Sequence, residues 1–333
     1  MKKINIAIVG ATGMVGSMFL EVLEEKKLPV NKYYLFASAK SAGKVINFMG
    51  QDHTVIELTP ENILKYPVDI ALFSAGGAIS RDYCHYFTEY GATVIDNSSC
   101  FRMEADVPLV VPEVNPEDVM KNKGIISNPN CSTIQAVVAL KPLDDKYGIK
   151  RIIFSTYQAV SGAGVQGYQD LEDGIKGEAP KKFLYPIFGN LIPHIDSFLD
   201  SGYTKEELKM VNETKKILHN QNLQITATCV RVPVFHSHSE SINIEFKKPC
   251  TLEGIRDALR AQKGIIIMDD FAKNEYPMPK FCQGKDEVFV GRIRLDESVK
   301  SGCNLWVVAD NIRKGAATNT VQIAEVLINK KFQ

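Results

Sequence analysis

The chain has 333 residues, 45% hydrophobic and 23% charged, with 39 basic side chains balancing 39 acidic ones. That length exceeds what one ordinary core fills, so two domains are expected, and the composition is that of a folded chain. A net charge of zero gives no electrostatic drive toward nucleic acid or an anionic membrane surface, and no apolar run is long enough to span a bilayer.

At the N-terminus, Lys2 and Lys3 precede a short apolar run that ends in a glycine turn. A signal peptide has a longer apolar core and a small-residue cleavage site, so none is expected. The seven cysteines are scattered, odd in number and without a CxxC pair, which argues against disulfide stapling and points to a reducing cytoplasm. Strands are expected at residues 4–9, 33–37, 55–58, 69–73, 93–95, 109–111 and 124–126, with helical spacing at 14–28 and 80–90. Strands interleaved with helices predict a Rossmann-type, doubly wound parallel α/β sheet.

After Cys131 the pattern changes. Residues 132–140 read as a helix interrupted near Pro142, 151–156 as a strand, 161–164 as a glycine-rich loop and 204–219 as a long charged helix. Later strands, at 242–246, 288–294 and 305–309, have fewer helices between them, which predicts an α+β mixed sheet in a second domain. The last helix, 315–329, places Val321, Ala324, Leu327 and Ile328 on one face that has to dock somewhere. No internal repeat, low-complexity tract or long linker is present.

Gly10, Gly13 and Gly16 punctuate the turn between the first strand and the first helix, with Thr12, Met14 and Val15 among them. Gly10 permits the tight turn, Gly13 lets a pyrophosphate approach the backbone and Gly16 lets helix and strand pack closely. The helix start then offers unpaired N–H groups and partial positive charge to phosphates. The spacing is GxxGxxG rather than GxGxxG, and a glycine turn without a nucleotide is the plain alternative. An NAD enzyme usually carries Asp or Glu at the end of the second strand for the ribose hydroxyls. Here Ser38, Lys40 and Ser41 stand instead, a set suited to the 2′-phosphate of NADP, although a loop lysine is often only solvated.

Cys131 follows Ser127-Asn128-Pro129-Asn130 and precedes an apolar-periodic segment, so it falls at or near a capped helix start. There the helix dipole favours a thiolate and lowers the pKa of the nucleophile. Cys84, Cys100, Cys229, Cys250, Cys282 and Cys303 lack that setting and read as small hydrophobes.

At this point the residues form a known pattern. GATGMVG (10–16), SAGG (74–77), DNSSCFRM (96–103), VPEVN (111–115), SNPNCST (127–133), YQAVSGAG (157–164), NETKKI (212–217), RVPVFHSHSE (231–240) and DNIRKGAATNTVQIAE (310–325) occur in order over essentially the whole chain. With them the chain resembles the aspartate-β-semialdehyde dehydrogenase family. The resemblance implies NADPH-dependent reductive dephosphorylation of L-aspartyl 4-phosphate to L-aspartate 4-semialdehyde. That reaction is reversible and serves lysine, threonine, methionine and diaminopimelate biosynthesis.

By the same resemblance Cys131 carries the acyl group, His238 is the acid/base and Gln158 holds Cys131 and substrate. Arg102 and Lys216 bind phosphate, Glu213 the substrate ammonium and Arg231 its carboxylate. Ser74, Ser161, Gly162 and Asn311 lie against the cofactor. The terminal helix returns to the first domain, so residues 1–130 plus 312–333 form an NADP-binding domain and 131–311 a catalytic and dimerisation domain. A homodimer or a dimer of dimers is implied, with inorganic phosphate as co-substrate.

The chemistry asks for these residue types independently. The substrate carries a phosphate, a carboxylate and an ammonium, for which two cations, a bidentate arginine and a carboxylate are complementary. A histidine near neutral pKa is expected to move the proton. From the residues alone, Arg102 and Arg231 also read as surface ion-pair partners, and Glu213 with Lys216 as an ordinary i,i+3 pair. His236 and His238 share a strand face, but no neighbouring ligand cluster supports a metal, and none is expected. Arg231 and His238 are seven apart, on opposite faces of a continuous strand, so both reach one site only if the segment bends at Pro233. N-acetyl-glutamyl-phosphate reductase, glyceraldehyde-3-phosphate dehydrogenase and a non-catalytic NADP-binding redox sensor are the competing readings.

Overall fold

The computed structural model describes residues 3–332; Met1, Lys2 and Gln333, at the ends of the expected first domain, lie outside the described residues. The chain divides into two compact units, one of residues up to Pro129 together with those from Ala316 onward, the other spanning Asn130–Gly315.

The first unit contains β1 (Ile4–Val9), α1 (Met14–Lys26), β2 (Val30–Ala37), a hairpin of β3 (Val45–Phe48) and β4 (Gln51–Thr54), and β5 (Ile56–Glu57). It continues through α2 (Pro60–Lys65), β6 (Ile70–Phe73), α3 (Gly77–Glu89), β7 (Thr93–Asp96) and β8 (Ile125–Ser127). Six strands pair in the order β5-β2-β1-β6-β7-β8, all parallel. Ile6, Ala7, Ile8 and Val9 are fully buried, as both faces of a central parallel strand must be. On one side Ile6 and Ile8 pack with Phe19 and Leu23 of α1; on the other Ala7 and Val9 pack with Phe36, Phe73 and Phe87. The chain leaves β1 toward β2 and returns on its other side at β6, so the crevice beyond the carboxyl ends of these strands is the ligand position of the fold.

Two local expectations fail for identifiable reasons. Residues 109–111 form no strand: Leu109 makes only an isolated bridge to Ser127. Asparagine side chains take the segment's backbone groups instead, Asn115 Nδ2 donating to Leu109 O (2.9 Å), Asn319 Nδ2 to Val110 O (3.0 Å) and Val111 N–H to Asn115 Oδ1 (2.9 Å). The β3–β4 hairpin escaped notice because its turn is Met49-Gly50, both at positive φ, where Asn-Gly is the usual signature.

The second unit runs α4 (Cys131–Tyr147), β9 (Ile149–Gln158), α5 (Gly164–Ile175), α6 (Lys205–Ile217), β10 (Gln224–Arg231) and β11 (His238–Phe246). Then come α7 (Leu252–Ala261), β12 (Ile265–Ile267), α8 (Pro279–Cys282), β13 (Val288–Leu295) and β14 (Gly302–Ala309). Its mixed sheet has the order β10-β9-β11-β14-β13-β12. Pro142 does not interrupt α4, contrary to expectation. An interior proline costs about 3 kcal/mol. The buried side chains of Ile134, Val137, Val138, Leu140 and Leu143 offset that several times over, at about 1.5–3 kcal/mol for each large one.

The final helix, α9 (Thr318–Lys331), belongs to the first unit, where Val321, Ala324, Leu327 and Ile328 join the core beside Ile4, Ile6 and Phe19. Among the described residues no helix is long and apolar enough to cross a membrane.

The tight strand–helix packing at the glycine turn makes a stability prediction. A Cβ on Gly16 would overlap Gly10 O, whereas Gly91, at φ +85°, faces open space. Gly16→Ala is expected to destabilise by about 2 kcal/mol or more and Gly91→Ala by about 1, read from urea midpoints. Equal losses in the two variants would contradict the packing argument.

Candidate active site

In the first unit the glycine turn is a cradle. Gly10 sits at φ +86°, and a Cβ there would overlap Ser74 O. Gly13 is the N-cap of α1 with no side-chain cap, and the first turn, which includes Met14 and Val15, carries no acidic residue. Backbone N–H groups at the head of α1 are therefore open to an anion. Thr12 Oγ1 donates to Ser41 Oγ (3.2 Å), and Ser41 N–H to Ser38 O (2.8 Å), closing the loop after β2. Ser38 and Lys40 are exposed there, with no carboxylate beside them in sequence. These features fit a dinucleotide. Arg102, 7% exposed, is held in the same unit by Asn128 O (2.9 Å) and Asn97 O (3.0 Å).

The second unit brings four sequence-predicted residues together. Cys131 is the first residue of α4, and its Sγ lies 3.1 Å from His238 Nε2. β10 ends at Arg231 and β11 starts at His238, with the Pro233 segment turning between them on either side of β9. The backbone of one residue then serves both side chains: Ala159 N–H donates to His238 Nδ1 (2.9 Å), and Arg231 Nη1 donates to Ala159 O (2.6 Å). Gly162 closes the cluster, since a Cβ there would stand 3.0 Å from Arg231 Nη1 and 3.3 Å from His238 Cε1. Ser161 Oγ accepts from Asn311 Nδ2 (3.0 Å), and Asn311 Oδ1 accepts from Ser237 N–H (2.9 Å), fixing the residue that precedes His238 at φ +71°.

Gln158 is the last residue of β9. Its Nε2 donates to Glu206 Oε1 (3.0 Å) and its Oε1 accepts from Thr156 Oγ1 (3.0 Å). Glu213 Oε2 accepts from Asn130 N–H (2.7 Å), and Lys216 follows in the last turn of the same helix. Helix α6 is set by a capping box, Thr204 N–H to Glu207 Oε2 (2.8 Å) and Glu207 N–H to Thr204 Oγ1 (3.3 Å). Glu206 and Glu240 escaped the sequence reading. Glu206 looks like an ordinary first-turn acid, although its seven-residue spacing to Glu213 shares a helix face. Glu240 looks like one more polar position in a strand.

Burial dominates the electrostatics. It pushes the His238 pKa down to about 3, with Arg231 reinforcing and Glu206 opposing. Residue type alone, which suggests a near-neutral value, carries no sign of that burial. Nδ1 accepts from the Ala159 amide, so the single proton of a neutral ring sits on Nε2, facing sulfur. Burial likewise lowers the Arg231 pKa and, with Glu206 nearby, raises that of Glu240 well above the carboxylate range. Both Glu240 oxygens are buried without a hydrogen-bond partner among the described residues.

A carboxyl whose folded pKa is raised contributes stability fully below its unfolded pKa of about 4.3, and that contribution is lost as pH rises. Glu240→Gln, neutral at every pH, is expected to gain thermal stability over the parent by a margin that widens as pH rises above about 4.5. A margin independent of pH would show that Glu240 does not bear this strain.

A nucleophilic sulfur at a helix start, a donor on it and a buried guanidinium nearby suit acyl transfer with recognition of an anion. A family model for the semialdehyde dehydrogenase NAD binding domain matches residues 5–122, and one for the semialdehyde dehydrogenase dimerisation domain matches residues 140–314. The aspartate-semialdehyde dehydrogenase of Aquifex aeolicus is 57% identical, with 98% of each chain covered; that of Bacillus subtilis is 48% identical, with 97% of each covered. The crystal structure of aspartate semialdehyde dehydrogenase II from Vibrio cholerae complexed with ASA is similar over 100% of both chains, at a TM-score of 0.94 and 46% identity. The Candida albicans enzyme with NADP is similar at a TM-score of 0.79 and 30% identity, covering 99% of this chain and 100% of that one. In sequence and in fold, the chain belongs to the aspartate-semialdehyde dehydrogenase family.

Proposed function

We propose that the chain catalyses the reversible, NADPH-dependent reductive dephosphorylation of L-aspartyl 4-phosphate to L-aspartate 4-semialdehyde through a thioester on Cys131. The single observation carrying this reading is the Cys131 Sγ–His238 Nε2 contact of 3.1 Å at the head of α4. Cys131 attacks the acyl-phosphate carbon as its thiolate, the S–C bond forms and the C–O bond to phosphate breaks, releasing inorganic phosphate. Bound NADPH supplies the hydride that reduces the thioester carbon. The tetrahedral oxyanion then re-forms a carbonyl, the S–C bond breaks and the electron pair returns to sulfur. Nε2–H donates to charge as it develops on sulfur or oxygen, which is stabilisation by a preorganised donor and needs no imidazolium at rest.

Arg231 is the carboxylate clamp in this reading, since its guanidinium is buried and planar. Glu213 takes the ammonium, Arg102 and Lys216 the phosphate, and Gln158 orders the cysteine side of the site. Ser161, Gly162 and Asn311 lie against the cofactor with the Gly10–Gly16 turn and Ser74. NADP is preferred over NAD because Ser38, Lys40 and Ser41 stand where a carboxylate would repel a 2′-phosphate. Two copies assemble as a homodimer through the second unit. The product serves lysine, threonine, methionine and diaminopimelate biosynthesis.

Phosphate-dependent NADP reduction with aspartate semialdehyde, compared with N-acetyl-glutamate semialdehyde and glyceraldehyde 3-phosphate, tests this function. Aspartate semialdehyde is expected to be preferred; preference for another aldehyde overturns the assignment. Cys131→Ala is expected to abolish turnover while NADP still binds, and appreciable residual activity in that variant would remove the thioester. Separate variation of phosphate and aldehyde tests the two anion sites. Arg231→Lys keeps a charge but loses the fork, and is expected to impair aldehyde use by about thirtyfold to a thousandfold in kcat/KM with little change toward phosphate. Arg102→Lys is expected to weaken phosphate, and less severely, because phosphate accepts a point charge. The opposite pattern would exchange the two roles.

A further inference from the structure

Beneath the sulfur lies a charged group to which the reaction above gives no part. Glu206, in the first turn of α6, is 5% exposed. Its Oε1 accepts from Asn130 Nδ2 (2.9 Å) and from Gln158 Nε2 (3.0 Å), and its Oε2 accepts from Lys209 Nζ (3.1 Å), which also reaches Asp196 (2.8 Å). Burial works to raise the Glu206 pKa, but Lys209 and the two amides outweigh it and hold the group below its ordinary value. Glu206 is thus a buried carboxylate with every near contact a donor.

Its two amide partners are the residues that frame the site. Asn130 immediately precedes Cys131, and Gln158 immediately precedes Ala159, whose backbone N–H and carbonyl orient His238 and Arg231. A carboxylate only accepts, so both amides turn their NH₂ groups toward it. That orientation leaves Asn130 Oδ1 directed at Cys131 Sγ, 3.6 Å away. The sulfur then has an acceptor on one side and the His238 donor on the other, with the rotamer of Asn130 deciding which atom it meets. Glu213, two turns along α6, holds the Asn130 backbone N–H as well (2.7 Å). The head of α4 is pinned to α6 at two points of one residue.

We propose that Glu206 is a positioning residue of the dehydrogenase reaction, holding Asn130 and Gln158 so that the Cys131 sulfur faces the His238–Arg231 corner. This rests on Cys131 being the nucleophile. Glu206 touches no reacting atom; it acts through the two amides. Charge alone does not meet the requirement, because a shorter carboxylate does not bring an oxygen within reach of both amides from the same backbone position.

Three variants separate the possibilities. Glu206→Gln and Glu206→Asp are each expected to lower kcat by about tenfold or more, with KM for phosphate and for aldehyde within about threefold of the parent. Glu206→Gln lets Asn130 turn its NH₂ toward sulfur and removes a neighbouring anion. The midpoint of the pH dependence of Cys131 alkylation by iodoacetamide is therefore expected to fall. Asn130→Ala severs the same link from the other end and serves if Glu206→Gln does not fold. Combined with Glu206→Gln, it is expected to add less than about threefold to the loss, since both act through one contact. A parental kcat in Glu206→Gln, full rescue by Glu206→Asp, an unmoved alkylation midpoint, or losses that simply multiply would each overturn the proposal. Turnover by Cys131→Ala would instead overturn the nucleophile on which it rests.

Discussion

The backbone of Ala159 is the constraint on which the rest of the site depends. Its N–H fixes the tautomer and plane of the His238 ring, and its carbonyl anchors Arg231. These two side chains come from the facing ends of β10 and β11, strands that flank β9 on either side. Their convergence is thus a product of sheet order: β9 runs out at Gln158, and the next residue meets those that end one neighbour and begin the other. A glycine at 162 gives both side chains the room to approach.

Much of this site is buried, and its charges must be arranged accordingly. A buried ion is tolerated only when donors or counter-charges surround it. Glu206 meets that condition through two amides and Lys209, and remains ionised. Glu240, two residues after His238 and near Glu206, has no hydrogen-bond partner among the described residues, and burial pushes its pKa well up. His238 is neutral for the corresponding reason, with its proton committed to the side of the sulfur. Buried surroundings strengthen the electrostatic effect of each remaining dipole on charge formed in the reaction.

Much of this was legible in the sequence. The Gly10–Gly16 turn, the alternating strands of the first unit and the helix start at Cys131 follow from local rules of backbone freedom, periodicity and capping. Arg231 and His238 were legible as residue types, and Pro233 as the place where their strand had to break. What the sequence did not expose depends on partners far along the chain. The protonation of His238 follows from the Ala159 amide and from burial, neither of which has a local signature. Glu206 sits in a run of charges, Lys205-Glu206-Glu207, that reads as a solvated helix start until Asn130 and Gln158 are brought to it. The uninterrupted α4 shows the same effect in the fold, where tertiary burial overrides a local helix breaker.

The state of His238 is the most direct point of contact between this account and experiment. Nitrogen-15 NMR of selectively labelled enzyme reports whether each ring nitrogen carries a proton, and does so without substrate. The account requires a neutral ring between pH 6 and 8, about one unit on either side of neutrality, with Nε2 protonated and Nδ1 a hydrogen-bonded acceptor. An imidazolium in that range, or a neutral ring protonated at Nδ1, would contradict the Ala159 constraint and the resting geometry built on it.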